Sequence, residues 1–281
     1  QSYVIFIVRD DRPCDLLFQC SELTWSAYNR WPTDYSIYTR HDGRSNTGVP
    51  SGTVSFDRPY ALFTHPVNKI KTSVGSGEYL PWEFPLAFWL EQHGYDVSYI
   101  SNIDTHADPD GLLRSKGFIS VGHDEYWTRE MYDNVSAARD AGVNLAFLSG
   151  NSVWGVVPLR PSAAGQPHRI MRREGKFLGE KLSKMLNKRR GTKPKYPAGT
   201  DGALLMGGRH AGIGGGDFIC AKPDHWLYEG TGMKEGDAVK GLLGWEWHGK
   251  PATELPGFDL LATSDAVDTR KRPYTPHAGT I

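Results

Sequence analysis

KGFISVGHDEYWTREMYDNVSAARDAGVNLAFLSGN, residues 116–151, contains the strand, helix, strand pattern that decides the fold class. KGFISVG and VNLAFLSGN are short apolar runs, which are typical of buried strands. Between them, Thr128 is a suitable N-cap for a helix that ends at a glycine. The apolar residues Met131, Val135 and Ala138 recur on one face of that helix. Strands and helices that alternate with short connections predict a parallel sheet with helices on both faces.

The same alternation continues on both sides of this stretch. CDLLFQCS (14–21) predicts a strand, and PWEFPLAFWLEQHGYDVSYIS (81–101) predicts a helix followed by a strand. GLLGWEWHG (241–249) and FDLLATS (258–264) predict two more strands. The apolar positions of the 81–101 segment are Leu86, Phe88, Trp89 and Leu90 in its helix and Val97, Tyr99 and Ile100 in its strand.

Several regions interrupt this pattern. Residues 39–78 are rich in turn-forming residues and predict an insertion. Residues 156–240 read as an irregular region, within which the basic stretch 176–195 predicts an exposed helix. MGGRHAGIGGGDF (206–218) lacks the GxxxxGK[ST] pattern of a phosphate loop and predicts a flexible loop. We expect a single α/β domain over residues 1–281, taken from a longer chain.

Composition excludes several classes of function. The 32 basic and 32 acidic residues cancel, so no overall field favours nucleic acid or an anionic membrane as a partner. No apolar run reaches the roughly 18 residues of a membrane span, and the N-terminus lacks a signal-peptide pattern. The three cysteines have no CxxC or zinc spacing, which favours a reducing compartment, and we expect a cytoplasmic protein.

Ionisable residues collect where the predicted strands end. In an open parallel sheet, ligands bind outside the carboxyl ends of the strands. His123, Asp124 and Glu125 directly follow one strand, and Asn151 follows the next. Taken singly, His123 fits a hydrogen-bonded loop residue and Glu125 fits a helix-capping carboxylate. Together with Asn151 and the loop after the first strand, they indicate a functional site.

The available side chains favour oxygen ligands over a nucleophile or a zinc site. The chain has no GxSxG motif and no cysteine at a strand-to-helix turn. It also lacks HExxH and paired Cys/His spacings, which disfavours zinc. Glu125 and several of the 13 tyrosines remain, and such hard, anionic donors suit ferric iron. Because most tyrosines in any chain serve packing, this pattern alone does not choose the ligands.

Several motifs together resemble the C-terminal catalytic region of the large subunit of N,N-dimethylformamidase. They are TWSAYNRWPTDYSIY, VSFDRPY, GEYLPWEFPLAFWLEQHGYDVSYISNIDTH, FISVGHDEYW, NLAFLSGNSVWG and GLLGWEWHG. The resemblance covers most of residues 15–250, and GHDEYW is its most specific part. It implies a flavodoxin-like sheet similar to that of the class I glutamine amidotransferases, with a mononuclear iron in place of the cysteine nucleophile.

The resemblance also implies roles for individual residues. In that family, two tyrosines and one glutamate hold the iron, and a histidine, an asparagine and a second glutamate lie close by. The glutamate ligand matches Glu125 and the histidine matches His123. The asparagine matches Asn151, and the second glutamate is best matched by Glu246. For the tyrosine ligands we expect Tyr60 together with either Tyr28 or Tyr38, with Tyr79 as a weaker candidate.

The leading hypothesis is therefore an iron-dependent amidohydrolase that cleaves the C–N bond of a small N-substituted amide. Ferric iron would polarise the amide or activate water, His123 or Glu246 would act as general acid and base, and Asn151 would stabilise the oxyanion. Expected associations are with a small amide substrate and with further domains, a small subunit or a second copy of the chain. One alternative is an inactive module that binds a small ligand or carbohydrate, and another is a metal-free hydrolase that uses Ser152. Iron content distinguishes them.

Overall fold

The computed structural model describes residues 2–32, 35–39, 52–62, 74–179, 200–251, 255–268 and 273. The chain divides into two compact units. Unit 1 comprises Gln1–Leu148 and Val153–Thr200, and unit 2 comprises Ser149–Ser152 and Asp201–Ile281. That these units form a single domain stays a prediction.

Unit 1 has a mixed α/β architecture in which short strands alternate with helices. A π-helical turn, Tyr79–Glu83, precedes the second helix, and a 3-10 turn, Asp110–Arg114, precedes the fourth strand. The described helices are α1 (Glu22–Tyr28), α2 (Phe84–Gln92), α3 (Asn102–Ala107) and α4 (Arg129–Asp140). The described strands are β1 (Cys14–Cys20), β2 (Thr53–Ser55), β3 (Val97–Ser101), β4 (Ser115–Gly122), β5 (Tyr126–Trp127), β6 (Asn144–Ser149, whose last residue belongs to unit 2), β7 (Gly155–Val156), β8 (Leu159–Arg160), β9 (Ile170–Arg172) and β10 (Gly175–Lys176).

A four-stranded parallel sheet organises unit 1. Its strand order is β3-β1-β4-β6, and β1 pairs in parallel with both β3 and β4. Leu17 on β1 stands opposite Ser98 on β3 and Phe118 on β4. Leu17 and Phe18 point to opposite faces and are both fully buried, so both faces of the sheet are covered. The prediction of an α/β chain with a parallel sheet is confirmed.

The helix predicted after β4 forms as expected. The Thr128 side chain accepts a hydrogen bond from the Met131 N–H at 3.0 Å, which is the predicted N-cap. Met131, Val135 and Ala138 are all buried on one face of α4. Burial of three apolar side chains at this spacing holds α4 against the rest of unit 1.

The helix α2 differs in detail from the sequence pattern. Ala87 and Leu90 pack into the core cluster around Phe18, whereas Phe88 and Trp89 are 55% and 44% exposed. The reason is helical periodicity, because the stripe that includes positions 87 and 90 excludes positions 88 and 89. The apolar character of Phe88 and Trp89 therefore does not reflect burial in the core of unit 1.

Unit 2 is built around one long antiparallel strand. The described elements are α5 (Gly202–Met206), β11 (Arg209–Cys220), a 3-10 turn (Trp226–Tyr228), β12 (Ala238–Leu243), β13 (Glu246–Gly249), β14 (Ala262–Thr263) and β15 (Val267–Asp268). The strand β11 pairs antiparallel with each of the four other strands. The strand predicted in GLLGWEWHG is divided between the end of β12 and β13, and two residues of the strand predicted in FDLLATS form β14.

The prediction of a flexible loop over residues 206–218 is wrong, because most of it forms β11. Its glycines allow close approach of neighbouring strands. A Cβ at Gly214 would clash with the Val267 carbonyl, and one at Gly216 would clash with Ser264. Glycine therefore marks crowding rather than flexibility here.

The remaining sequence predictions fall on partly described regions. Of the predicted insertion over 39–78, the structure describes residue 39, residues 52–62 and residues 74–78, which include β2. Most of the exposed helix predicted over 176–195 lies outside the described residues. Within the described residues, none of the helices combines the length and apolar character needed to span a bilayer.

Candidate active site

Hydrogen bonds in the segment after α1 fix the positions of Tyr28 and Tyr38. The Ile37 N–H donates to the Ala27 carbonyl at 3.0 Å, which holds the following segment against the end of the helix. The guanidinium of Arg58, from the FDRPY motif, ties the same turn together through several carbonyl oxygens. They are those of Ser26, Asn29, Trp31, Tyr35 and Ser55.

The hydroxyls of these two tyrosines meet the carboxylate of Glu125. Tyr28 Oη donates to Glu125 Oε2 at 2.5 Å and lies 2.9 Å from Tyr38 Oη. Tyr126 Oη donates to Tyr38 Oη at 2.6 Å, and the Tyr28 ring packs against the His123 ring with centroids 5.2 Å apart. We call Tyr28, Tyr38, His123, Glu125 and Tyr126 the Glu125 cluster.

His123 lies between two buried carboxylates. Its Nδ1 is 3.2 Å from Glu78 Oε2, and its Nε2 is 3.6 Å from Glu125 Oε2. The turn that delivers the histidine depends on Gly122, whose φ is 74° and whose added Cβ would lie 2.9 Å from Trp82 Cβ. A carboxylate on Nδ1 fixes the orientation of an imidazole. Glu78 therefore orients the His123 ring so that Nε2 faces Glu125.

Burial raises the pKa of two phenols of this cluster. Burial, followed by the charge of Glu125, raises the pKa of Tyr38 well above its usual value. The same two causes, in the same order, raise the pKa of Tyr126. Glu125 itself is 2% exposed. A cation bound among these oxygens would favour their anionic forms and offset the cost of burying them.

The donor set of the Glu125 cluster suits a hard, highly charged cation. In the part of the chain that the structure describes, no group of three or more His, Cys, Asp or Glu side chains has the arrangement of a metal site. Phenolate and carboxylate oxygens form a different donor set, which suits ferric iron. Two oxygens bound at about 2 Å to one cation lie about 3 Å apart. The separations of 2.5 Å and 2.9 Å at Tyr28 Oη are close to that value, so Tyr28, Tyr38 and Glu125 fit iron ligation.

Asp124 has a structural role, although it stands between His123 and Glu125 in sequence. Its carboxylate accepts hydrogen bonds from Gln19 Nε2 at 2.6 Å, Ser120 Oγ at 2.8 Å and Asn102 Nδ2 at 3.4 Å. Complete burial raises the pKa of Asp124 to about 6. These bonds link β1, β4 and α3 at the edge of the sheet that carries the candidate site.

Tyr60 and Tyr79 belong to a second group of contacts. Their rings pack against Trp25 with centroid distances of 6.2 Å and 5.8 Å. Trp25 Nε1 donates to Glu83 Oε1 at 2.7 Å. Burial raises the pKa of Glu83 well above its usual value and that of Tyr79 to about 12. We call Trp25, Tyr60, Tyr79 and Glu83 the Glu83 cluster, and within the described residues neither tyrosine has a ring contact with the Glu125 cluster.

In unit 2, the predicted catalytic residues Asn151 and Glu246 contact each other. Asn151 is 3% exposed, has a left-handed φ of 57°, and donates from Nδ2 to Glu246 Oε1 at 3.2 Å. The next residue, Ser152, is bonded through Oγ to Ser149 Oγ, and its backbone N–H donates to His248 Nε2 at 3.1 Å. The imidazole therefore holds the backbone of Ser152 rather than its hydroxyl, unlike the histidine of a serine nucleophile.

Comparison with known proteins agrees with the resemblance seen in the motifs. The family model described as "N,N-dimethylformamidase beta subunit-like, C-terminal" matches residues 1–280. The chain belongs to this family. No curated protein matches the chain. Membership in the dimethylformamidase-like family covers the whole described structure, including the elements that carry the Glu125 cluster.

Sequence reasoning missed two residues that contact the predicted site residues. Glu78 lies 45 residues before its partner His123, in a turn without a strand pattern, so no local signal links the two. Tyr126 directly follows Glu125 in GHDEYW, but its position in β5 is typical of a packing residue. The only sequence signal for Tyr126 was its place in that motif.

Proposed function

We propose that the chain is an iron-dependent hydrolase that cleaves the C–N bond of a small N-substituted amide. The observation that carries this proposal is the convergence of Tyr28, Tyr38 and Glu125 oxygens beside the His123 imidazole. Membership in the dimethylformamidase-like family supports the reaction class. Tyr28 and Tyr38, rather than Tyr60, are the proposed tyrosine ligands.

Iron would supply Lewis acidity toward the amide carbonyl when bound. In the reaction, a water oxygen bonds to the acyl carbon, the C–N bond breaks, and the amine leaves with a proton. We assign the transfer of that proton to Nε2 of His123, and the position of Glu78 Oε2 at 3.2 Å from Nδ1 supports this assignment. Glu125 and Glu78 are buried and the His123 side chain is 18% exposed, which limits the access of bulk water to these hydrogen bonds.

Two further assignments belong to the same proposal. Asn151 and Glu246 are proposed as catalytic residues, as the resemblance implies, and their mutual hydrogen bond in unit 2 supports a shared role. The four-stranded parallel sheet supports a flavodoxin-like topology. The family description contains the words "beta subunit-like", so we also propose that the protein associates with another subunit.

The direct test is hydrolysis of formamides by protein reconstituted with ferric iron. N,N-dimethylformamide and related N-alkyl formamides should release the corresponding amine, and a strong iron chelator should abolish the release. Turnover that persists at full rate after removal of all metal would contradict iron dependence. An iron-loaded protein without amidase activity on any small amide would contradict the reaction class and favour a ligand-binding module.

A further inference from the structure

The loop after β6 carries Asn151 and is held against β13 at three adjacent points. Asn151 Nδ2 donates to the Glu246 side chain at 3.2 Å, and the Ser152 N–H donates to His248 Nε2 at 3.1 Å. One residue before Asn151, Gly150 lies so close to β13 that an added Cβ would clash with the Glu246 carbonyl. All of these residues belong to unit 2.

Strand geometry explains why one element can hold the loop in this way. Alternate residues of a strand point to the same face, so Glu246 and His248 share a face of β13 while Trp247 is buried on the other. The carboxylate of Glu246 reaches the Asn151 side chain, and the imidazole of His248 reaches the backbone one residue later. Two residues that lie two positions apart on β13, Glu246 and His248, therefore contact two consecutive residues of the loop, Asn151 and Ser152.

We propose that His248 is a positioning residue that fixes the orientation of Asn151 by accepting the Ser152 N–H. This inference rests on the proposed function in one respect, namely that Asn151 and Glu246 are catalytic. Asn151 adopts a left-handed φ of 57°, which asparagine tolerates better than most side-chain-bearing residues. The hydrogen bond from the adjacent Ser152 N–H to His248 Nε2 restrains the backbone at this point.

The protonation state of His248 agrees with this role. Burial and the neighbouring His210, which stands opposite on β11, lower the pKa of His248 to about 4. The imidazole is therefore neutral near pH 7, and an Nε2 that accepts a hydrogen bond places the ring proton on Nδ1. A neutral acceptor is what the Ser152 N–H requires.

The test measures amide hydrogen exchange over residues 149–153 in His248→Leu and His248→Gln variants. Leucine removes the acceptor, so exchange in this segment should become at least tenfold faster. Glutamine can accept through its amide oxygen, so its exchange should stay within about threefold of the wild type. Exchange at the Val157 amide, which donates to the Trp127 carbonyl at 2.9 Å in unit 1, should be unchanged in both variants and reports any global loss of fold.

Kinetics on the iron-loaded protein complete the test. His248→Leu should lower kcat about tenfold with little change in KM, and His248→Gln should recover most of it. Wild-type exchange rates in His248→Leu would overturn the inference, as would unchanged kcat despite faster exchange.

The companion variant Asn151→Ala separates the two proposals. Full activity in Asn151→Ala would refute the catalytic role of Asn151, while the exchange result at residues 149–153 would still decide whether His248 holds the loop.

Discussion

The Glu125 cluster and the Glu83 cluster contain similar residue types in the same unit, but their glutamates accept hydrogen bonds from different donors. Both contain tyrosines and a glutamate with almost no exposed surface, and α1 contributes to both, through Tyr28 to one and through Trp25 to the other. Glu83 accepts hydrogen bonds from the Trp25 indole and the Ser21 backbone N–H. Glu125 accepts one from the Tyr28 hydroxyl.

The donors decide the difference in chemistry. An indole or backbone N–H keeps its proton under physiological conditions, so Trp25 and Ser21 can only stabilise Glu83 as a structural group. A phenol can give up its proton to a bound metal cation, and under the proposed function Tyr28 and Tyr38 would then act as anionic ligands beside Glu125. The two buried glutamates therefore differ in whether these hydrogen-bond donors are able to ionise.

Replacing each glutamate by its neutral isostere should give the largest contrast between the clusters. Glu125→Gln replaces the proposed anionic ligand, so we expect loss of bound iron and a fall in kcat of about 100-fold or more. Glu83→Gln retains an oxygen that can accept from Trp25 Nε1, so iron content should match the wild type. Elemental analysis and amine release on both variants provide the measurement. Full iron occupancy in Glu125→Gln would remove this residue from the ligand set.

The histidine beside Glu125 should affect turnover without affecting metal. His123→Ala is expected to lower kcat by about 10²-fold or more, because proton transfer to the leaving amine is lost. Glu78→Gln weakens the restraint on Nδ1 of His123 and should lower kcat about tenfold. Iron content is expected to remain at the wild-type level in both variants. Loss of iron in His123→Ala would instead assign the imidazole to the ligands.

Titration of three buried carboxyl groups outside the Glu125 cluster should make the stability of the protein depend on pH. Burial raises the pKa of Glu22 to about 8 and of Asp124 to about 6, and it raises that of Glu83 as well. The folded state then binds protons that the unfolded chain has already released. The free energy of unfolding should therefore fall as pH rises from about 5 to 8, by a few kcal/mol.

Urea unfolding of the metal-free protein at pH 5, 6.5 and 8 measures this fall. Glu83→Gln removes one of the three groups while keeping its acceptor for Trp25, so the fall should be smaller in that variant. A free energy of unfolding that rises with pH over this range would show that these carboxyl groups are ionised in the folded protein.

Local sequence patterns predicted much of the fold but only part of the candidate site. The periodicity of α4 and the apolar runs of β1, β3 and β4 predicted the parallel sheet, because burial on both faces leaves a clear sequence signal. The placement of His123 and Glu125 together followed from their position at the end of β4. Glycines in β11 were misleading, because close strand approach and flexibility both select glycine.

Which tyrosines contact Glu125 depends on the tertiary structure and could not be predicted from local sequence patterns. Tyr28 lies 97 residues before Glu125, and the contact depends on how Arg58 fastens the turn after α1. Tyr60 follows Arg58 closely in sequence yet packs against Trp25. Sequence spacing does not encode which side of α1 a tyrosine reaches across a long connection. The identity of the tyrosine ligands therefore stays a prediction that experiment must test.

The most direct measurement of the central claim is the visible absorption spectrum of iron-loaded protein in Tyr28→Phe, Tyr38→Phe and Tyr60→Phe variants, with iron content determined alongside. Tyrosinate bound to ferric iron gives a charge-transfer band in the visible range. The wild type should show this band with about one iron per chain, as a site with one mononuclear centre requires. The band should weaken and shift in Tyr28→Phe and in Tyr38→Phe and remain unchanged in Tyr60→Phe. An unchanged band in both of the first two variants, or its loss in Tyr60→Phe, would contradict the assignment of iron to the Glu125 cluster.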